Sequence, residues 1–394
     1  MTNVLIAGYY GLNNIGDEAI LSGMMCSLNK YIDDAQFSVI TNDPIETKRI
    51  HNVIPVKQSF KEGIPRFALN CLFKNELYSI FRNIDNCDIF ILGGGSLLQD
   101  LRVYYLPLLL SMVHYAQKKG KKTAVYGIGA GPIDTMLGKK LCRKILGSAD
   151  LVTVRDPMSK RVLDRCGLQN VIQTADPAFG LDLQTDDFLR GPFGTGNECP
   201  KENYFSTTLY NWLQDSDKNR NRAAHAVDLK NRRKLVSNLY DDICKTYDRD
   251  LLFIPTVKID EKGYHEIKSS MHSSTNVSVI SYANDLTRVA SFLSRSDLLI
   301  GMRLHSLILA TIMGVPIVPI SYCGKVKSYL ELIGIEDLYL DIGDLGKNIF
   351  RDKLIENISI VKNDNSHYAK LLCDASSKLR DKALYNAQLC SELV

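Results

Sequence analysis

One arginine and one histidine stand two positions apart in an almost wholly apolar segment, GMRLHSLILATIMGVPIVPI, residues 301–320. A guanidinium group binds carboxylate or phosphate through two parallel hydrogen bonds, and an imidazole changes its protonation near neutral pH. Arg303 and His305 together therefore predict a site that holds an anion beside a proton donor. The alternative is an internal pair of polar groups that only satisfy each other.

The elements around this pair predict a turn from a strand into a helix. DLLIG, residues 297–301, is typical of a buried strand, and HSLILATIMG, residues 305–314, of a helix that ends in glycine. Ser306 then falls in the first helical turn, where backbone N–H groups favour anions. Lys325 follows the next apolar strand, VPIVPIS, so we expect it at the same sheet edge as a further cation.

A glycine-rich turn near the start of the chain is a second candidate site. GYYGLNNIGDEAI, residues 8–20, contains Gly11, Asn14 and Asp17 before a helix, and its spacing is not the dinucleotide-binding G-x-G-x-x-G. Asn14 and Asp17 are candidates for a catalytic or acceptor-binding role. The alternative for Asp17, and for Glu18 beside it, is a favourable acid in the first turn of a helix.

Two further turns follow apolar strands in the same half of the chain. GGGS, residues 93–96, contains Gly94 and Gly95, which let a ligand approach the backbone closely or simply make a tight turn. Arg155 in VTVRDP is placed to contact an anion, and it is equally placed to pair with Asp156.

Apolar strands that alternate with amphipathic helices predict parallel sheets covered on both faces. We therefore expect a Rossmann-like domain at residues 1–185, a linker at 186–200 and a second Rossmann-like domain at 201–360. Residues 361–394 are helical by period and are expected to pack back on the first domain.

Composition excludes several classes of protein. The chain has 394 residues, 45% hydrophobic and 23% charged, with a formal net charge of +4, which is typical of a globular protein and does not favour nucleic acid binding. Its apolar runs are shorter than the roughly 18 residues of a membrane span, so we expect a cytoplasmic protein with at most a peripheral membrane contact. The basic segment 217–234 is either a solvated face or a contact for a phosphorylated or membrane-held substrate. No metal cluster is evident, and the sequence does not predict an oligomeric state.

In order along the chain, several segments resemble the polysaccharide pyruvyl transferase family, and most closely its CsaB-like branch. They are GYYGLNNIGDEAIL, ILGGGSLLQD, YGIGAGP, VRDP, TADPAF and GMRLHSLILATIMGVPIVPISYCGKV. Each alone is weak, but their order forms a specific signature over nearly all of the chain.

The resemblance implies an α/β fold similar to that of GT-B glycosyltransferases, with two Rossmann-like domains facing each other across a cleft. It implies phosphoenolpyruvate as a co-substrate, with no other cofactor, and a lipid-linked saccharide as acceptor. In the CsaB-like branch, the product is a 4,6-O-pyruvate ketal on N-acetylmannosamine of a secondary cell wall polymer, which anchors S-layer proteins.

By motif, the resemblance assigns Arg303 and His305 to the donor site, with Lys325 beside them and Arg155 as a further anion contact. It turns the N-terminal glycine loop towards the acceptor. The sequence departs from the family early in the second domain, where FSTTLYNW has Leu209 and Tyr210 in place of an arginine. One donor contact is therefore missing or supplied elsewhere.

The expected chemistry begins with protonation of the methylene carbon of phosphoenolpyruvate, which makes its C2 atom open to attack by a sugar hydroxyl. We expect His305 to deliver or relay this proton, and Arg303 and Lys325 to hold the carboxylate and phosphate. Two alternatives share the predicted architecture: a GT-B glycosyltransferase that uses a nucleotide sugar, and a non-catalytic carbohydrate-binding protein.

Overall fold

The computed structural model describes residues 1–58, 76–101, 105–183, 203–209, 222–272 and 277–394, without the side chains of residues 222–229. The described chain divides into two compact units: residues 1–182 with 377–394, and residues 183–376. The linker predicted at 186–200 and the departure at Tyr210 lie outside the described residues.

The first unit contains a seven-stranded parallel sheet with the order β3-β2-β1-β4-β5-β6-β7. Its strands are β1 (Thr2–Tyr10), β2 (Ala35–Thr41), β3 (Ile54–Lys57), β4 (Ile89–Gly93), β5 (Lys122–Ile128), β6 (Leu151–Val154) and β7 (Ile172–Gln173). In register, Val4 of β1 lies beside Phe37 of β2 and Ile89 of β4. The central strands are continuous apolar runs because helices cover both faces of the sheet.

The helices of this unit connect successive strands. They are α1 (Ile15–Leu28), α2 (Pro44–His51), α3 (Glu76–Asn86), α4 (Tyr105–Lys118), α5 (Met136–Leu141) and α6 (Pro157–Arg165), with a π-helical turn at Cys142–Leu146 and a 3-10 turn at Pro177–Gly180. One side of the core joins β1, β4 and α4 through buried side chains that include Leu5, Phe90, Leu92, Leu109 and Val113.

The second unit contains a six-stranded parallel sheet with the order β10-β9-β8-β11-β12-β13. Its strands are β8 (Tyr204–Thr208), β9 (Asp250–Phe253), β10 (Val277–Val279), β11 (Leu298–Gly301), β12 (Ile317–Ser321) and β13 (Leu340–Asp341). Thr208 of β8 lies beside Gly301 of β11 in register. Both sheets therefore have the doubly wound strand order, and the prediction of two Rossmann-like α/β domains is confirmed.

The helices of the second unit follow the same alternation. They are α7 (Arg222–Tyr247), α8 (Lys258–Ser269), α9 (Leu286–Ser294), α10 (Leu304–Ile312), α11 (Gly324–Ile333) and α12 (Asn348–Asn363), with 3-10 turns at Glu336–Leu338 and Ile342–Asp344. Part of the basic segment, residues 222–234, lies in α7, and residues 217–221 lie outside the described residues.

The last helix, α13 (Asn365–Ser391), contributes to both units: residues 365–376 group with the second, and residues 377–391 with the first. Its fully buried Asn386 accepts hydrogen bonds through Oδ1 from the hydroxyls of Thr153 (2.6 Å) and Thr174 (2.7 Å). These bonds attach the end of the chain to β6 and to the residue after β7. Among the described helices, not one is both long and apolar enough to cross a membrane.

Candidate active site

The switch point of the second sheet lies between β8 and β11, because the chain leaves β8 towards β9 on one side and returns to β11 on the other. In doubly wound sheets, ligands bind at the carboxyl ends of the strands at such a point. Arg303 and His305 lie there, directly after β11 and at the start of α10. The turn inferred from the sequence is thus present at the position where a ligand is expected.

The guanidinium group of Arg303 is held by a carboxylate. Its Nε donates to Asp260 Oδ2 at 3.1 Å, and its Nη2 donates to Asp260 Oδ1 at 2.6 Å. Asp260 lies in α8 with a side chain that is 0% exposed, whereas the Arg303 side chain is 17% exposed. The Nε and Nη2 atoms of the fork expected to grip the substrate are therefore bound to the protein itself, which fixes the position of Arg303, and the carboxylate offsets part of its charge.

The electrostatics of this pair follow from its burial. Burial raises the pKa of the Asp260 carboxyl, and the charge of Arg303 opposes that rise. Burial also lowers the pKa of Arg303, but the charge of Asp260 and the hydrogen bonds to it, with smaller contributions from Tyr264 and Tyr322, together outweigh this effect, and the net direction is upward. The guanidinium consequently stays charged.

Ser306, a predicted donor-binding residue, has its hydroxyl directed into the fold. Its Oγ donates to the Arg303 carbonyl oxygen at 2.6 Å and lies 2.5 Å from Thr208 Oγ1, and the side chain is fully buried. Ser306 therefore ties the end of β8 to the turn that carries Arg303 and His305. This is a structural role, in contrast to the predicted contact with a ligand.

His305 and Lys325 lie at the starts of neighbouring helices. His305 is half-buried in the first turn of α10, and Lys325 is half-buried in the first turn of α11, which follows β12. Since β11 and β12 are paired, both helices begin at the same sheet edge. Neither Arg303 nor Cys323, the residues that precede α10 and α11, makes a side-chain cap, which leaves two helix N-termini able to attract an anion.

The first sheet has its own switch point, between β1 and β4, and the predicted acceptor-side residues lie there. Asn14 Oδ1 accepts from the Gly16 N–H at 3.1 Å and caps α1, while Asn14 Nδ2 donates to Asp17 Oδ2 at 2.7 Å. A Cβ atom placed on Gly95 would lie 3.6 Å from Asp17 Oδ1, so the loop after β4 passes close to that carboxylate. The fold thus brings Asn14, Asp17 and Gly95 together.

Gly11 and Gly94 are explained by packing. Both have positive φ, and a Cβ on Gly94 would lie 2.0 Å from the Cγ2 atom of Ile20. A Cβ on Gly11 would lie 2.3 Å from Thr41 Oγ1. The tight-turn alternative therefore accounts for Gly94, and the close approach to Thr41 accounts for Gly11.

A buried pair that the sequence did not indicate holds the glycine loop. Glu18 Oε2 lies 2.6 Å from His51 Nε2, with both side chains at most 3% exposed, and Gly11 N–H donates to Glu18 Oε1 at 3.3 Å. The nearby Ser22 hydroxyl lies 3.3 Å from His51 Nδ1. Glu18 had only the appearance of a first-turn acid, and nothing in the sequence pointed to His51.

Arg155 is a predicted anion contact. In the structure, each of its guanidinium nitrogens donates a hydrogen bond to another side chain of the protein. Nη1 donates to Asp176 at 2.8 Å, Nη2 to Ser96 at 2.9 Å and Nε to Asp156 at 3.4 Å. The residue is 4% exposed. The alternative of an internal ion pair is the one that the structure contains, and Asp176 is the partner that the sequence missed.

Comparison with known proteins gives one family. The sequence model of the family described as polysaccharide pyruvyl transferase matches residues 14–324. The amylovoran biosynthesis protein AmsJ of Erwinia amylovora is 22% identical over 392 residues, which covers 87% of this chain and 88% of that protein.

Solved structures with a similar fold include enzymes that act on nucleotide-linked sugars. UDP-GlcNAc 2-epimerase from Methanocaldococcus jannaschii is 18% identical, with a TM-score of 0.61 over 92% of this chain and 93% of its own. ADP-heptose lipopolysaccharide heptosyltransferase II of Escherichia coli is 9% identical, with a TM-score of 0.50 over 93% of this chain and 100% of its own. At these identities, the likeness concerns the fold alone.

Proposed function

The chain belongs to the polysaccharide pyruvyl transferase family and is a transferase, and we propose that it uses phosphoenolpyruvate to form a 4,6-O-pyruvate ketal on N-acetylmannosamine or a related hexose of a lipid-linked cell wall polysaccharide precursor. Phosphate is the other product. The observation that carries the proposal is the cationic edge of the second sheet, where Arg303, His305 and Lys325 accompany two helix N-termini.

The charge of this edge suits phosphoenolpyruvate. The donor carries a carboxylate and a phosphate on one three-carbon unit, so it needs positive potential at two closely spaced positions. The N-termini of α10 and α11 follow adjacent strands and supply N–H groups, and Lys325 adds a positive charge in the first turn of α11. Arg303 is held by Asp260, so its position does not depend on the substrate, and the carboxylate offsets part of its charge.

The proposed reaction begins with a proton. His305 gives a proton to the methylene carbon of the donor, which becomes a methyl group, and C2 becomes cationic. One hydroxyl of the sugar then forms a bond to C2 and loses its proton. The C2–O bond to phosphate breaks, with the cationic edge stabilising the departing phosphate, and the second hydroxyl closes the ketal and loses its proton. Of the two protons released, one restores His305 and the other leaves with phosphate.

The acceptor side of the proposal uses the first sheet. Asp17 accepts hydrogen bonds and is close to the backbone of Gly95, so a sugar hydroxyl bound there would meet a carboxylate beside an open stretch of main chain. We propose that Asn14 orients the Asp17 carboxylate, because Asn14 Nδ2 donates to Asp17 Oδ2 at 2.7 Å. The proposed scheme needs no metal and no further cofactor. Its acceptor would be met at the cytoplasmic face of the membrane, and the ketal would serve S-layer anchoring.

The test is incubation of the protein with phosphoenolpyruvate and a synthetic disaccharide that contains N-acetylmannosamine on a diphosphate lipid. The expected result is a mass gain of one pyruvate less one water, with one phosphate released per ketal. Phosphoenolpyruvate should also raise the thermal unfolding temperature, because a ligand that binds the native state stabilises it. Stabilisation by uridine or guanosine diphosphate without any effect of phosphoenolpyruvate would favour a nucleotide-sugar glycosyltransferase and contradict the proposal.

A further inference from the structure

Three large apolar side chains are exposed close together at the carboxyl edge of the first sheet. Leu101 is 69% exposed, Met136 is 70% exposed and Leu137 is 58% exposed. Single exposed apolar residues are ordinary on protein surfaces, but adjacent ones form a patch that usually meets a partner. Leu101 lies in the loop after β4, and Met136 and Leu137 form the first turn of α5, which follows β5.

Hydrogen bonds hold these two segments against each other. Asp100 accepts from the Thr135 backbone N–H at 2.7 Å and from the Thr135 hydroxyl at 2.6 Å, and its own N–H donates to the Pro132 carbonyl at 3.0 Å. Leu98 and Ala130 form a parallel bridge just before them. Asp100, which precedes Leu101, is therefore bonded to Thr135, which precedes Met136. The apolar side chains of the two segments consequently belong to one surface.

Cations follow the apolar residues along the same helical segment. Lys140, Arg143 and Lys144 are all exposed in α5 and the π-helical turn after it. With a rise of about 1.5 Å per residue in α5, Lys140 lies about 6 Å behind Met136 along the axis, and Arg143 and Lys144 follow in the π-helical turn. An apolar tip with cations one to two turns behind it matches the change from acyl chains to headgroups in a lipid leaflet.

We propose that this surface, the docking tip, formed by Leu101, Met136, Leu137, Lys140, Arg143 and Lys144, binds the anionic face of a lipid bilayer. The apolar residues enter the interface, and the three cations contact phosphate groups of the headgroups. A membrane fits this surface because acyl chains suit the apolar residues and the phosphate groups of the headgroups suit the cations.

The docking tip is also continuous with the acceptor side of the proposed active site. Leu101 is six residues after Gly95, in the same loop after β4, and Gly95 is close to Asp17. A bilayer held at this edge would present a lipid-linked saccharide to those residues. This second step depends on the proposed function, whereas binding of the bilayer does not.

The test is co-sedimentation of the full chain with vesicles of phosphatidylglycerol and phosphatidylcholine, compared with vesicles of phosphatidylcholine alone. We expect binding to the mixed vesicles that weakens as salt is raised. The variant M136S/L137S should lose roughly tenfold or more in the partition coefficient, because two apolar side chains no longer enter the interface. The variant K140Q/R143Q/K144Q should lose roughly a hundredfold at low salt, at about fivefold for each cation.

Matched variants control for composition. I54S/I349S removes two exposed apolar side chains elsewhere, and K30Q/K48Q/K118Q removes three exposed cations elsewhere. Both should bind vesicles like the unaltered chain, and all four should unfold at about the same temperature because exposed substitutions change stability little. With a short water-soluble acceptor, the docking-tip variants should retain full turnover, so loss of vesicle binding is separable from failure of the proposed reaction.

Three results would overturn the proposal. These are no binding to mixed vesicles, equal binding to both kinds of vesicle, or equal losses in the control variants. Self-association that disappears in M136S/L137S, without any vesicle binding, would instead assign this surface to a second copy of the chain.

Discussion

Replacement of Asp260 by asparagine tests whether the Asp260 carboxylate holds Arg303 in place. Asparagine keeps the size of the side chain and one accepting oxygen, but it removes the negative charge and turns an NH2 group towards a guanidinium that only donates. The Asp260→Asn variant would keep Arg303 but lose the negative charge that holds its guanidinium group.

The magnitude follows from the burial of the pair. The Asp260 side chain is 0% exposed and that of Arg303 is 17% exposed. Loss of one partner from a buried ion pair costs about 3–5 kcal/mol, and the retained oxygen of asparagine and the partial exposure of Arg303 favour the lower end, about 3 kcal/mol. For a domain the size of the second unit, this corresponds to a fall in unfolding temperature of roughly 6–12 °C.

The assay is thermal unfolding of Asp260→Asn, Arg303→Met and the double variant, with the Michaelis constant for phosphoenolpyruvate measured below the lowest unfolding temperature. The double variant should be more stable than the sum of the single changes predicts, by at least about 1 kcal/mol. The Michaelis constant of Asp260→Asn should rise because Arg303 is no longer fixed. A coupling free energy near zero, together with an unchanged Michaelis constant, would refute this account of Arg303.

The stability of Arg303→Met should also change with pH, and the direction of that change tests the same account. Burial already raises the pKa of the Asp260 carboxyl, and removal of the opposing charge of Arg303 raises that pKa further. A carboxyl with a folded-state pKa above its unfolded value takes up protons on folding, so its ionisation lowers stability as pH rises through that interval. The stability deficit of Arg303→Met should therefore shrink towards acid pH, and a deficit that grows there would contradict the burial of Asp260.

The remaining predictions concern the donor edge and a glycine. His305→Ala should abolish ketal formation with unchanged unfolding, and substantial remaining turnover would exclude proton delivery by His305. Lys325→Gln should raise the Michaelis constant for phosphoenolpyruvate by about tenfold with little change in stability, since one charge at a helix N-terminus is lost; an unchanged constant would remove Lys325 from the donor site. Gly94→Ala should destabilise the fold by about 2 kcal/mol more than Gly120→Ala, because both glycines have positive φ but only the first would place a Cβ against Ile20. Equal losses in thermal or denaturant unfolding would show that this contact is relaxed.

The sequence revealed Arg303 and His305 because both are polar residues at the junction of an apolar strand and an apolar helix, where burial leaves few roles for them. It did not reveal Asp260, which lies in KIDEKGYHEIKS, residues 258–269, among other charged residues of an amphipathic helix. Which of these acids is buried depends on how α8 is rotated against its sheet, and that rotation is set by packing with other elements.

Arg155 and Ser306 illustrate a second limit. Residue type and position at a strand end suit both a ligand contact and an internal bond, and the choice depends on partners that are remote in sequence. Arg155 meets Ser96 and Asp176 only because the loops after β4 and β7 converge on the end of β6. Ser306 meets Thr208 only because β8 and β11 are neighbours although 89 residues separate Thr208 from Leu298 at the start of β11.

The capping pattern connects the fold to the proposed chemistry. Among the helices whose first residues the structure describes, five begin with a side chain that accepts from their first N–H groups: α1, α2, α5, α6 and α9, through Asn14, Asp43, Thr135, Asp156 and Asp285. At α8, α10, α11 and α12, the corresponding residues make no such bond; they are Val257, Arg303, Cys323 and Lys347.

A side-chain cap at α10 or α11 would stabilise that helix by about 1 kcal/mol. An acidic or amide cap would also occupy the N–H groups, and an acid would repel a substrate with two negative groups. Introduction of Asp at position 323 should therefore stabilise the protein slightly and raise the Michaelis constant for phosphoenolpyruvate. If Cys323→Asp left that constant unchanged, the start of α11 would not contribute to donor binding, and the anion would have to be held by Lys325 and the start of α10 alone.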